Sequence, residues 1–389
     1  MGRSVLVDAD AAAREAWRSA NKDDSAPRLV LVFATSCYDH HRLLQTLAEL
    51  SQGATVVGCS VEGVITRAGS EEGNYALGLM LVWSETLRFD PFVVPEYASD
   101  SEGAGRRMGG AVHELLQKDG VALLTFLDGL TGDATAFLRG LTTLLPLDLP
   151  VVGGVAADAL RLDTTYQFFK TEVLTGAAVG LLISGQGTAR VAIGHGCTAI
   201  GRVRTVTRWE AGWVLEIDHK PAWEVFRAYL DGDPQDLKAD GIMHLSVDLL
   251  PSASENGESL SIVRTPMLLR KGDGALFFPG GGVALGSRLR IVRRDPMSLR
   301  DSAVRAAEQL RRASPAKPDM VLQFDCAGRG KVVFGASTTE AIIAPLQQIV
   351  GGDIPWLGFH TYGEIAPTDG HPQYHNYTVV LVAVYPLAG

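Results

Sequence analysis

Cysteine is scarce in this chain: Cys37, Cys59, Cys197 and Cys326 are its four in 389 residues, with no CxxC pair. That excludes a secreted disulfide framework, a structural zinc site of the usual spacing and a c-type haem attachment. A long apolar run is also missing. Nothing reaches the roughly 18 residues that span a bilayer, and Ala177 to Ile183 is too short. The N-terminus carries Asp8, Asp10 and Glu15 without a continuous apolar segment, so it is no signal peptide. The expectation is a cytoplasmic protein with no membrane insertion. Basic charge is lacking as well. A formal net charge of −9 argues against a nucleic-acid partner, whose binding needs a concentrated cationic surface. The one basic cluster, Arg288 to Arg294 with Arg290 and Arg293 between, alternates with apolar residues and reads as a strand's solvated face.

The composition, 46% apolar and 20% charged, is that of an ordinary globular protein. At 389 residues the chain exceeds what one hydrophobic core comfortably supports, so two domains are expected. Residues 1–27 read as a helix (Ala11 to Ser19) and a polar linker, 28–218 as a first domain and 219–389 as a second.

Three passes of strand, helix and strands follow one another. The first runs through Leu29 to Phe33, a helix marked by Leu43, Leu44, Leu47 and Leu50, then Val56-Val57-Gly58, Tyr75 to Trp83 and Leu87 to Val94. The second has Val121 to Leu127, a helix over 132–145, Val151-Val152-Gly153 and Ala177 to Ile183. The third opens at Val321 to Phe324, continues into a helix begun by a Ser337/Glu340 capping box, and closes with Trp356-Leu357-Gly358 and Thr378 to Val384. Gly58 to Ile65 aligns with Gly358 to Ile365, and Asn74-Tyr75 with Asn376-Tyr377, which argues an internal duplication. Between the last two passes lie short strands, at 191–193, 214–217, 260–263, 267–270 and 289–292, and helices over 221–230 and 298–312. The fold class is therefore α/β (α+β): mixed, largely antiparallel sheets covered by helices, built from duplicated strand–helix–strand–strand units.

Few motifs carry chemistry. There is no Walker loop, and Gly280-Gly281-Gly282 leads to another strand instead of a helix, so it reads as a turn. Gly58-x-Ser60-x-x-Gly63 is one residue too long for a nucleophile elbow. His371 and His375 have a ligand spacing only on a helix, which Pro372 disfavours, so the stretch reads as a solvated loop. Cys326-Ala327-Gly328-Arg329 leaves the carboxyl end of a strand, where ligand crevices form in α/β sheets. An arginine there can clamp a carboxylate or phosphate.

Val57-Gly58-Cys59-Ser60-x-Glu62-Gly63, Gly153-Gly154-x-Ala156-x-Asp158, Cys326-x-Gly328-Arg329, Gly358-Phe359-x-Thr361-Tyr362-Gly363-Glu364-Ile365 and His375-Asn376-x-Thr378 together resemble the FIST family. The resemblance implies an N-terminal and a C-terminal FIST domain from residue 28 onward. It also implies a sensory role in signal transduction, with small molecules such as amino acids as ligands and, in some similar proteins, haem that senses nitric oxide. Such proteins are often fused to, or work beside, histidine kinases, cyclic-dinucleotide enzymes or methyl-accepting proteins, and here a separate partner is expected to read the signal.

The leading expectation is an intracellular, non-enzymatic sensor of an amino-acid-like or other small anion. Arg329 would hold the anionic group and Tyr362 and Glu364 the polar end, with Ser60, Glu62 and Asn376 lining the same cleft beside Cys326. A haem-binding nitric-oxide sensor is one alternative. A hydrolase or transferase using Cys326 or Ser60 is another, and it requires a histidine such as His360 or His375 beside the nucleophile.

Overall fold

A computed structural model describes residues 1–22, 25–230, 245–250, 262–314 and 316–386. It confirms a mixed α/β protein. Among the described residues one strand pairing in each repeat is parallel and the others are antiparallel.

The chain repeats one unit three times. Each unit supplies an edge strand, a helix, a central strand, a second helix, a strand parallel to the central one, a hairpin and a closing strand. The edge strands are Gly2–Ser4, Leu87–Val94 and Gly187–Gly194, and the central strands are Leu29–Thr35, Gly120–Leu127 and Met320–Cys326. Thr55–Val61, Val151–Val155 and Trp356–Thr361 run parallel to them. Leu77–Val82, Ala178–Gly185 and Val379–Pro386 close the units and pair with the edge strands. The second repeat is thus complete, beyond the Val-Val-Gly legible in its sequence.

The hairpins change places. Gly63–Thr66 with Gly69–Glu71, from the first repeat, extends the third repeat's sheet at Trp356–Thr361. Gln167–Phe169 with Glu172–Leu174, from the second, extends the first at Thr55–Val61. Glu364–Thr368 with His371–His375, from the third, extends the second at Val151–Val155. The region read as a loop around His371 is therefore the outer strand of a hairpin. Its prolines face each other, Pro367 opposite Pro372, and Pro372 lies on the sheet's edge, where a missing N–H is tolerated.

Packing follows from this arrangement. The inner faces of the three sheets meet in one apolar core, and the helix pairs seal the outer faces. Phe33, Phe126 and Phe324 occupy equivalent places on the central strands and gather with Phe359 at ring distances of 4.5 to 6.4 Å. Gly58, Gly153 and Gly358 are equivalent too. A Cβ there would lie 1.7 to 2.0 Å from a carbonyl oxygen of the paired central strand, so only glycine fits.

The third repeat carries an insertion between its edge strand and the helix Pro296–Ala313. The insertion folds as a sheet in the order Ile262–Arg264, Leu245–Leu250, Arg288–Arg294, Arg204–Glu210, Trp213–Ile217, Ala275–Phe277, Leu268–Arg270, with a core of its own. The point between residues 218 and 219 falls on a hairpin turn inside this sheet, where Asp218 and His219 both have positive φ. The first two residues of the strand expected over 260–263 lie outside the described residues.

One helix start differs from expectation. Ser337 and Glu340 form no cap; helical backbone begins at Lys331, passes a break at Gly335 (φ +57°) and resumes through a π-helical turn, Thr339–Ile343. Pro345 follows, in the first turn of Ala344–Val350, and its missing N–H disrupts the regular ladder there.

Candidate functional site

The carboxyl end of Met320–Cys326 opens on a cleft between the third repeat and the insertion. Cys326, Thr361, Tyr362 and Asn376 form one wall, Thr265, Met267 and Arg294 of the insertion the other, and Leu160 of the second repeat borders it. The cleft between the walls has a volume of about 40 Å³. That is room for a few waters, so a larger ligand requires the walls to part.

Arg294 is the cation of this cleft. Its guanidinium stacks 4.7 Å from the Tyr377 ring centroid and donates to the Gly328 carbonyl, and the ion pair of this strand among the described residues is made by Arg290 with Asp248, not by Arg294. It belongs to the basic stretch read as a solvated strand face, so the residue type was visible and its use was not.

Arg329, expected as the clamp, is elsewhere. It is fully buried, and its Nε donates to Asp325 Oδ1 at 2.7 Å. Its remaining donors reach His195 O at 3.0 Å, Leu299 O at 3.2 Å and Tyr377 O at 3.4 Å. Asp325 also accepts from Gln323, which accepts from the Trp356 indole. This network ties together the two ends of the insertion, near 195 and 299, and leaves no donor fork for a ligand.

Behind Cys326 lies Glu364, with no exposed surface. Thr378 positions both: its N–H donates to Glu364 Oε2 at 3.0 Å, and its carbonyl accepts from the Cys326 N–H at 3.1 Å. Glu364 Oε1 has no partner in hydrogen-bond geometry, and the Cys326 thiol is the side chain able to share a proton with it. Burial pushes the carboxyl well above the ordinary range, and it pushes the thiol up too, with the backbone N–H groups of Tyr377 and Gly328 opposing it. Neither expected histidine stands beside the nucleophile. His360 bonds Ser70 Oγ at 2.8 Å, and His375 lies 3.3 Å from Thr368 Oγ1 and Ala366 O.

Glu62 meets Tyr362 at the cleft's border, where the three repeats touch. Leu160 N–H donates to Glu62 Oε2 at 2.9 Å and to Tyr362 Oη at 2.7 Å, and Tyr362 donates to Asp158 Oδ1 at 2.6 Å. Burial, opposed by the Leu160 amide, raises Glu62 to about 7. The loop that delivers Leu160 is strained: Ala159, Leu160 and Leu162 all have positive φ, and Asp158 holds it by accepting from the amides of 162, 163 and 164. Nothing in the sequence pointed to this loop except Asp158 itself.

Ser60 is placed away from the cleft. Buried, it donates to Ala157 O and accepts from Tyr166 N–H, both at 2.9 Å, and so joins two repeats. Asn376 lines the cleft while its carbonyl oxygen accepts from Thr265 N–H at 3.1 Å and its amide donates to Tyr362 O at 3.1 Å, linking insertion to hairpin. The Gly280–Gly282 turn serves the same junction. It packs on the start of helix Ala134–Leu141, with Gly280 O accepting from Thr135 N at 3.0 Å. Arg264, buried and lowered to about 10 by that burial, spans Gly281 O, Thr135 Oγ1 and Tyr374 O.

The cleft does not fit haem. Its free space is far below that of a macrocycle, although Cys326, Tyr362 and Met267 of its lining are residue types that ligate haem iron.

Residues 28–220 match the FIST N domain and residues 222–367 the FIST C domain. The chain belongs to the FIST family, a family of sensory domains. It is 26% identical over 395 aligned positions to an uncharacterized protein of Mycobacterium tuberculosis, covering 97% of each chain. An uncharacterized protein of Mycobacterium bovis is 25% identical, with 97% of this chain and 96% of that one covered. Among solved structures, a chorismatase superposes with a TM-score of 0.35 at 8% identity over 94% of both chains. A cyanuric acid hydrolase from A. caulinodans gives 0.37 at 10% identity over 98% and 97%. At those scores nothing follows about this chain's chemistry.

Proposed function

We propose that this protein is a sensor that binds a small anionic molecule in the cleft between the third repeat and the insertion. One observation carries the reading: Arg294, a guanidinium without a carboxylate partner among the described residues, is held beside Cys326, Tyr362 and Asn376 at a junction of two bodies. A ligand that parts or clamps those walls shifts the insertion relative to the repeats, provided it binds the two arrangements unequally. A separate signalling protein, such as a histidine kinase or a cyclic-dinucleotide enzyme, then reads that shift. The role is binding, not turnover, and four free cysteines suit the reducing cytoplasm. Mass spectrometry of small molecules that copurify with the native protein identifies the ligand, and calorimetry measures it. Arg294→Ala is expected to weaken binding at least tenfold, as loss of a charge-assisted contact does, about 1.5 kcal/mol or more. Unchanged affinity in that variant refutes the site.

A further inference from the structure

We propose that Cys326 captures small unsaturated carboxylates covalently, with Glu364 relaying the proton and Arg294 holding the carboxylate. This rests on the cleft reading above and names its ligand class.

The geometry supplies each part. Cys326 lines the cleft, 6% exposed, at a strand's carboxyl end. The backbone N–H groups of Gly328 and Tyr377 pull the thiol's pKa down against burial and so favour a developing thiolate. Glu364, wholly buried, keeps Oε1 without a hydrogen-bond partner among the described residues, and Thr378, whose carbonyl holds the Cys326 N–H, fixes Oε2 at 3.0 Å. An unsatisfied buried carboxyl oxygen is costly, and the Cys326 thiol is the neighbour able to satisfy it. Arg294 adds a cation on the opposite wall, oriented by its stacking on Tyr377.

The step balances without a redox partner. The step runs from the deprotonated fraction of Glu364, which takes the thiol proton while Sγ bonds to the β-carbon of the acid. The π pair of the C=C bond moves to the α-carbon, which takes the proton back from Glu364. The net change is addition of S–H across the double bond. Reversal frees the ligand, as a sensor requires.

Fumarate, which carries two carboxylates, and neutral acrylamide are the probes, and peptide mass spectrometry reads modification at Cys326 and at the more accessible Cys37. Fumarate is expected to modify Cys326 at least tenfold faster than acrylamide; at Cys37, whose sulfur has a cation of its own in Arg161 at 3.8 Å, the order should be the same with or without Arg294. Arg294→Ala should remove the preference at Cys326. Glu364→Gln should slow Cys326 at least tenfold with both probes and flatten its dependence on pH. The Cys326→Ser variant should retain binding of succinate, the saturated analogue, measured by calorimetry. Should Glu364→Gln disturb folding, seen by circular dichroism, the probe order in the wild type and in Arg294→Ala decides the matter alone. An unmodified Cys326 in the native protein, or an unchanged probe order in Arg294→Ala, overturns the proposal. If succinate binds and Cys326 stays unmodified, capture fails and the anion site stands. If succinate also fails to bind, a site for dicarboxylates fails with it.

Discussion

Replacing Arg329 with alanine separates a structural role from a ligand-binding one. In the structure the guanidinium is buried with Asp325 at 2.7 Å and bonds carbonyls at both ends of the insertion. Removing it strands a carboxylate in the core, which costs roughly 3–5 kcal/mol. For a chain of 389 residues the unfolding entropy is about 0.8 kcal/mol/K, so Tm should fall by about 5 °C if the chain unfolds as one unit. Differential scanning calorimetry measures the shift. The paired variant Arg329→Met with Asp325→Leu removes both charges and should recover much of the loss, because well-packed apolar groups often replace a buried ion pair without penalty. Ligand affinity in the single variant, measured below its melting transition, should stay within a few-fold of wild type. An Arg329→Ala protein that melts with the wild type but no longer binds would refute the reasoning and restore Arg329 as the clamp.

Two further expectations follow from the repeat junctions. Glu62, raised to about 7 against an ordinary 4.5, holds a proton in the folded state that the unfolded chain gives up. Its contribution is therefore full below pH 4.5 and lost as pH rises toward 7, roughly 1–3 kcal/mol in all. Glu62→Gln should remove that slope, and denaturant titrations of both proteins across the window check it; parallel curves would show that Glu62 titrates normally. Gly281→Ala places a Cβ 2.1 Å from Asp133 Oδ1 at a φ of +73°. It should loosen the insertion from helix Ala134–Leu141 and raise amide exchange in 275–294 at least tenfold, and unchanged protection there would refute the clasp.

Much of the architecture was legible because apolar runs set strand and helix order. Leu87 to Val94 coincides with its strand, and the helix marked by Leu43 to Leu50 is found at His40–Ser51. The hairpins were not legible, since each completes the sheet of a different repeat and no local pattern encodes a distant partner. The His371 hairpin was hidden by its prolines, which disfavour a central strand and are accommodated at an edge. Three equivalent phenylalanines, Phe33, Phe126 and Phe324, each near the carboxyl end of its central strand, were a usable signal of threefold repetition. They become visible once the second repeat is aligned in full.

The site was legible in part. Cys326, Tyr362 and Asn376 do share a cleft, with Glu364 behind them, because the duplicated motif lies at strand ends. Arg329 misled because an arginine after a strand reads as a ligand group, while Asp325, four residues earlier, was its partner. Arg294 was passed over because alternation with apolar residues says which face it occupies, not that the face abuts another body.

The exchange of hairpins bears on how this chain can be divided. A fragment ending at residue 220 would retain Gly63–Thr66 and Gly187–Gly194 without the Trp356–Thr361 and Val379–Pro386 strands that pair with them. It would thus display raw β-edges, the usual seeds of self-association. The three sheets are links in a closed chain, so resistance to proteolysis should belong to the whole loop, and neither half matched by a family domain is a mechanical unit by itself.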